Sequence, residues 1–414
     1  MKEICNISKC TGCSACLNGC TFGAIQMNEG KNGFIYPSID ESKCVDCGKC
    51  TRICPAATPI IHQIPQDAYA CHAISPTEQL TSTSGGVISV LCRSVVTAGG
   101  IVYGSTIDFE FKVKHIRIDN VRDLDLLKGS KYVQSEIGLC YKNVKKDLDD
   151  GRKVAFVGTP CQVAGLRKYL NKEYNSLFTI DFVCHGVPSQ SILTQAVNDA
   201  FSTKPSEALL RFRYKHRDKS IGNIIKSVIK RDDAKYVSDY GLFLVDSDGK
   251  LIEGKKYPHD KYILGFLTAL FYRESCYQCD YACPERVSDI TCGDYYDSSL
   301  QQKLPGGSRL ISMMSINSEK GSELLSETKI DIYLLPVDYS EIVKSHPQLN
   351  HPIKRNKYRE SFLEALPTDG FSLAFHKIYG DYSKRIIKNY YLDKILDVIY
   401  KVPFTQFIHQ KIKK

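Results

Sequence analysis

Nowhere in its 414 residues does the chain hold the 18 or more consecutive apolar residues that a spanning helix needs. A membrane-spanning bundle is thereby excluded. No secretory leader is expected either, since the first twenty residues carry five cysteines where a signal peptide would carry an apolar stretch. The protein is expected to stay in the cytoplasm. No G-x-G-x-x-G follows a strand and no P-loop occurs, so classical nicotinamide and ATP sites have no support. Basic and aromatic residues do not interleave, and residues 1–60 balance 6 Lys plus Arg against 5 Asp plus Glu, which argues against a cysteine-rich nucleic-acid binder. What is present is ordinary for a soluble chain of two to three domains, 43% hydrophobic and 24% charged. The net charge of +9 is uneven: +7 of it lies between residues 341 and 414, a basic face suited to an acidic partner or anionic lipid, or simply to solvation.

Eighteen cysteines in a reducing compartment point to metal ligands or redox chemistry. Cys10, Cys13, Cys16 and Cys20 form C-x2-C-x2-C-x3-C, and Cys44, Cys47, Cys50 and Cys54, followed by Pro55, repeat it. In such runs the first three thiolates wrap one cubane and the fourth reaches the other cluster. Crossed ligation follows: Cys10, Cys13, Cys16 and Cys54 for one [4Fe-4S] cluster, and Cys44, Cys47, Cys50 and Cys20 for the second. Gly12 and Gly48 let the backbone approach the cores. Thr21 stands where the first run would carry proline, and the 23 residues between Cys20 and Cys44 read as a hairpin turning at Asn32-Gly33. A pair of zinc sites is the competing reading, though zinc knuckles usually pair two C-x2-C units over a longer gap. Cys5 falls outside the pattern and is read as a bystander.

Beyond Pro59 and Pro65 the chain alternates between β and α. Residues 86–97 have helical spacing, 100–103 and 113–118 read as strands, and a helix ends over 144–148. Strand and helix then succeed each other at 153–157, 163–170, 177–183 and 192–201. This predicts a mixed or parallel α/β sheet with its ligand site at the carboxyl ends of the strands. Gly158-Thr159-Pro160-Cys161-Gln162 lies at one such end, where amides and helix dipole can hold a phosphate and depress the Cys161 thiol pKa. Cys184-His185-Gly186 lies at the next; Cys161 with His185 across the loops would make a thiol enzyme. Cys276, Cys279 and Cys283 form C-x2-C-x3-C, which Cys161 or Cys184 would complete as a third cluster; a small zinc knuckle is the alternative. Ser82-Thr83-Ser84-Gly85-Gly86 and Gly129-Ser130-Lys131-Tyr132 are loops able to cradle a flavin diphosphate, and also ordinary caps.

These motifs, together with Val133-Gln134-Ser135, Val187-Pro188-Ser189, Ser275-Cys276-Tyr277-Gln278-Cys279 and Ser288-Asp289-Ile290-Thr291-Cys292-Gly293-Asp294, resemble the beta-subunit family of coenzyme F420 (deazaflavin) hydrogenases and dehydrogenases, in a form with a fused two-cluster ferredoxin domain. The resemblance runs from about Cys10 to Ser315. It implies an α+β ferredoxin-like domain over 1–60, a larger α/β flavin-binding domain over 61–320, and a mostly helical basic extension over 321–414. It also implies FAD lined by Ser84, Gly85, Gly86, Lys131, Tyr132, Gln134, Ser135, Gly158 and Thr159. A third [4Fe-4S] cluster would be held by Cys161, Cys184, Cys276 and Cys279, with Cys283 a competitor. Tyr295-Tyr296-Asp297 and Cys292 depart from the family pattern. Lys131 and His185 are candidates for proton delivery or for steadying a flavin anion.

The expected activity is exchange of electrons between clusters and FAD, with hydride passing to or from a coenzyme or small molecule. The expected partner is a redox protein or ferredoxin. Similar fused proteins occur beside surface-polysaccharide genes, so the acceptor does not follow from the family. A non-catalytic electron carrier docking a reductase is the alternative. In the tail, Ile386, Ile387, Tyr390, Tyr391, Ile395, Leu396 and Ile399, flanked by Lys384, Arg385, Lys388 and Lys394, predict an amphipathic helix for a membrane surface, a partner or the core.

Overall fold

The computed structural model describes residues 3–217, 236–295 and 310–401. Tyr296 and Asp297 lie outside them, as do the side chains of Leu396 and Ile399. Near the N-terminus β1 (Ile25–Glu29) and β2 (Ile35–Ile39) form an antiparallel hairpin around the turn at 31–33, with Asn32 left-handed. Short helices Ala15–Gly19 and Lys49–Arg52 follow the two cysteine loops.

The body contains β3 (Asp67–Ala73), β4 (Ile101–Ile107), β5 (Val113–Ile118), β6 (Val154–Val157) and β7 (Leu177–Phe182). After them come β8 (Leu209–Arg217), β9 (Tyr236–Val245), β10 (Leu251–Lys256), β11 (Ile290–Asp294), β12 (Ser312–Ile316) and β13 (Ile332–Pro336). Eight strands make one mixed sheet in the order β13-β3-β12-β11-β7-β6-β4-β5. The neighbours β4, β6, β7 and β11 run parallel. Their Val-Ala-Phe-Val and Leu-Phe-Thr-Ile runs are buried on both faces, the continuous apolar pattern that a covered parallel sheet requires.

Helices sandwich this sheet. Val87, Leu91 and Val95 of helix Val87–Thr97 pack on one face with Leu324 of helix Glu319–Thr328. Val144 and Leu148 of Cys140–Asp149 and Val163 and Leu166 of Pro160–Leu170 cover the other. A separate three-stranded sheet, β10-β9-β8, shares a third core with helices Gln190–Ala200, Lys261–Leu267 and Arg359–Ala374. Residues beyond 320 therefore take part in the body: β13 closes an edge of the large sheet, and Phe362 and Phe371 sit in the third core.

Two local devices aim the chain at the strand ends. Thr159 caps Pro160–Leu170 in a capping box with Gln162, and Pro160 takes the first helical position, which sets Cys161 in the first turn. At Gly186 (φ +130°) a Cβ would meet the Tyr272 ring at 2.3 Å, so the segment after Cys184 can turn only with glycine.

The final helix, Gly380–Lys401, packs through Tyr390 against Tyr257 and bonds Tyr391 to His259, while Leu392 and Ile395 face outward. Among the described residues no helix is long and apolar enough to cross a membrane.

Candidate iron-sulfur and cofactor sites

The cysteines gather into three cages. Cys10, Cys13, Cys16 and Cys54 line the first, near the domain boundary. Cys20, Cys44, Cys47 and Cys50 line the second, farther out, with Cys47 exposed. Each N-terminal run thus sends its last cysteine into the other run's cage. The two loops repeat a conformation as well as a spacing: Gly12 and Ser14 are left-handed in one, Asp46 and Gly48 in the other. Such alternation turns successive amides inward, and the amides of Gly12 and Ala15 point at the sulfurs of Cys10 and Cys13. Cys5 joins the first cage, hydrogen-bonded to Cys10 and Cys54, so it is no bystander.

Cys161, Cys184, Cys276 and Cys279 line the third cage, drawn from the ends of β6 and β7 and from the 3-10 turn Glu274–Gln278. Cys283 lies outside it, with Sγ 3.3 Å from His62 Nδ1. Burial pushes the thiols up, Cys161 to about 11 and both Cys276 and Cys279 to about 12. At Cys161 burial outweighs the helix start, so the depression expected from sequence does not occur. His185 lines the same cage, but burial lowers its pKa and its Nδ1 is 3.0 Å from Gln348 Nε2. A neutral thiol beside a neutral imidazole is a poor nucleophile pair.

Clustered buried thiols become thiolates when a metal core supplies positive charge, so the donor chemistry fits iron-sulfur binding. A lone zinc would need four sulfurs about 2.3 Å from one point. Among the described residues no three His, Cys, Asp or Glu side chains converge on a single-ion site. The cysteines stand instead around shared interiors, as a multi-iron core requires.

Beside the third cage lies a cationic cradle. Its floor is the 82–86 loop joined to the 129–132 loop by the Ser130 amide donating to Thr83 Oγ1 at 2.7 Å. Across it β8 presents Arg211, Arg213 and Lys215. Lys215 donates to the carbonyls of Gln79 (2.5 Å) and Ser84 (3.2 Å), and burial lowers its pKa to about 7, Arg213 adding to the effect. Arg211 reaches only the Lys128 carbonyl, at 3.5 Å, and burial lowers its pKa too. Arg213 bonds the Tyr132 hydroxyl and Asp294, both at 2.6 Å, and lies over the Tyr240 ring at 4.1 Å. Neutral partners around half-buried cations suit a polyanion, and the aromatic flank suits a flat ring. His185 senses Asp294 and Arg213 electrostatically, which places it between cage and cradle.

The expected cofactor residues divide. Ser84, Gly85, Gly86, Lys131 and Tyr132 lie in the two cradle loops. Gly85 packs against the sheet, its amide donating to Ser312 Oγ at 3.0 Å. Lys131, lowered to about 7 by burial and then by Arg211, donates to the carbonyls of Ser105, Leu127 and Lys128 and so fastens its own loop. Gln134 clamps Thr11 and Arg273, Ser135 bonds His115, Gly158 sits beside Phe156, and Thr159 Oγ1 lies 3.1 Å from Cys161 Sγ. Arg211, Arg213, Lys215 and Asp294 were not singled out from sequence. The alternation Arg-Phe-Arg-Tyr-Lys over 211–215, with Phe212 buried, was the available signal.

A two-loop ferredoxin unit fused to an α/β body defines the class, an iron-sulfur oxidoreductase. Residues 151–341 match the family described as the C terminus of the beta subunit of coenzyme F420 hydrogenase/dehydrogenase, and residues 9–58 match the "4Fe-4S dicluster domain". The chain therefore belongs to the coenzyme F420 hydrogenase/dehydrogenase beta-subunit type, carrying an N-terminal 4Fe-4S dicluster domain.

It is 25% identical over 217 residues to the coenzyme F420-dependent sulfite reductase of Methanocaldococcus jannaschii, covering 52% of this chain and 33% of that protein. It is 38% identical over 55 residues to the B subunit of the ion-translocating oxidoreductase complex of Methanosarcina acetivorans, covering 13% of this chain and 19% of that protein. The chain thus spans a third or less of the length of these relatives. A chain of the F420-reducing [NiFe] hydrogenase complex from Methanosarcina barkeri superposes with TM-score 0.43 at 15% identity, covering 72% of this chain and all of that one.

Proposed function

We propose that the chain is a flavin-linked iron-sulfur oxidoreductase whose three cysteine cages each hold a [4Fe-4S] cluster and whose cradle holds FAD. The ligands are Cys20, Cys44, Cys47 and Cys50 for the outer cluster, Cys10, Cys13, Cys16 and Cys54 for the inner one, and Cys161, Cys184, Cys276 and Cys279 for the third. The observation that carries this reading is the third cage, assembled from three separate segments beside a cradle of half-buried cations. Clusters supply one-electron chemistry and a flavin supplies conversion to hydride.

The chain's own residues supply order and environment. The outer cage, with exposed Cys47 and beside Phe22 and Val45, is where a redox protein docks. The inner cage lies next: the helix carrying Cys161 packs so closely on Cys13 that a Cβ on Gly165 would fall 2.9 Å from its sulfur. Arg211 and Lys215 hold the diphosphate, while Tyr132 and Tyr240 flank the ring. His185, between cage and cradle, holds or moves the proton that accompanies hydride. The two-electron partner we propose is a deazaflavin, as the family indicates; a role in surface-polysaccharide synthesis would bring another small acceptor to the same cradle.

The test is anaerobic deazaflavin reduction by the dithionite-reduced protein with FAD, followed at the deazaflavin visible band. FAD-dependent bleaching supports the reading. Reducible clusters without bleaching of deazaflavin, and without reduction of bound FAD, would leave a ferredoxin-type carrier.

A further inference from the structure

Arg273 stands between the first and third cages and is fully buried. Its Nε donates to the Cys10 carbonyl at 2.7 Å, one terminal nitrogen to Gln134 Oε1 at 2.9 Å, and the other to the Ile35 carbonyl at 2.7 Å while lying 3.8 Å from Cys10 Sγ. The guanidinium also lies 4.4 Å from the Tyr36 ring centroid. Every one of these partners is neutral, and among the described residues no carboxylate pairs with it. A buried guanidinium without an anion is strongly unfavourable, so an account of this site must name its counter-charge. The buried Arg286 shows the contrast within the same molecule, since it is paired with Asp181 at 3.1 Å.

The only groups near Arg273 able to become anionic are the sulfurs on either side. Its charge favours the thiolates of Cys10 in the first cage and of Cys161 and Cys276 in the third. Its fork also joins the N-terminal unit to the body, because Cys10 and Ile35 belong to one and Gln134 to the other. A Cβ on Gly12 would fall 3.0 Å from its guanidinium carbon, so the cysteine loop is shaped to receive it.

We infer that Arg273 is the shared counter-cation of the first and third cages, a positioning residue that raises the reduction potentials of the two clusters facing it and leaves the outer one alone. The inference rests on the proposed ligand sets. A cluster gains negative charge on reduction, and a fixed positive charge in a low-dielectric interior stabilises the reduced form. Two neighbours made easier to reduce by one cation also bias electrons inward from the exposed cage.

The test is an EPR-monitored redox titration of the whole chain carrying Arg273→Gln, Arg273→Lys or Gln134→Glu, with iron measured on each sample. Arg273→Gln is expected to weaken reduction of two clusters by at least tenfold in equilibrium constant, about 59 mV for one electron. The third should not move. Arg273→Lys is expected to keep the potentials near those of the wild type although the fork is broken, and Gln134→Glu to lower the same two by placing a carboxylate on the guanidinium. Should Arg273→Gln not fold, the Arg273→Lys and Gln134→Glu pair decides the matter. Three clusters with unmoved potentials, or all three shifted alike, would overturn the inference. Fewer than three clusters in the wild type would overturn the ligand sets beneath it.

Discussion

Replacing Lys215 with methionine removes the cradle cation whose partners are least able to satisfy it. In the folded chain this ammonium meets two carbonyls and the like charge of Arg213, and burial brings its pKa from 10.5 to about 7. A bound diphosphate supplies the missing anion and returns the pKa towards its ordinary value. Binding then takes up a proton above pH 7, so FAD affinity should fall by up to about tenfold per pH unit from pH 7 to 10. A hydrogen bond to a charged group contributes about 1.5–3 kcal/mol, so Lys215→Met should weaken binding at pH 6.5 by about 10- to 100-fold and flatten the pH slope. Flavin fluorescence quenching on anaerobically prepared protein, with pyrophosphate as competitor, measures both. Equal affinity and equal slope in wild type and variant would refute the placement of the diphosphate. The same linkage acts on stability with a definite sign. Between about pH 7 and 10.5 the unfolded chain binds a proton that folded Lys215 lacks, so the ligand-free protein should become more stable as pH rises through that window.

Cys276→Ser and Cys279→Ser should each lower iron from about twelve to about eight atoms per chain, the difference between three cubanes and two, while Cys283→Ser should leave it unchanged. Iron loss in the Cys283 variant alone would reverse that assignment. Arg286→Met should destabilise the body by about 3–5 kcal/mol, because it leaves the fully buried Asp181 carboxylate unpaired; urea titration measures this, and a change below about 1 kcal/mol would contradict it. Gly186→Ala should disturb the third cage, since the added methyl meets Tyr272, and is checked by the EPR signal of that cluster alone.

The sequence carried the elements whose causes are local. The 153–157, 163–170, 177–183 and 192–201 readings lie within two or three residues of the observed strands and helices, because buried parallel strands and capped helices announce themselves over a few residues. The repeated cysteine spacing likewise anticipated which thiols share a cage. What could not be read is what distance along the chain hides. Cys5 reaches the first cage through the loop's fold, and the separation of Cys283 from Cys279 depends on its approach to His62, 221 residues away. Arg273, 263 residues from Cys10, looked like any surface arginine until the fold brought both into one interior. The cradle cations of β8 were hidden for another reason. An alternating basic strand is normally a solvated edge, and only the loops at 82–86 and 129–132 make it a cradle.

The central claim, three cubane clusters serving one flavin, is tested most directly by purifying the whole chain anaerobically and measuring iron, acid-labile sulfide and FAD on one sample. The account predicts about twelve iron, as much sulfide, and one FAD per chain. About eight iron with no flavin would contradict it, leaving the cage of Cys161, Cys184, Cys276 and Cys279 and the cradle beside it without the roles proposed for them.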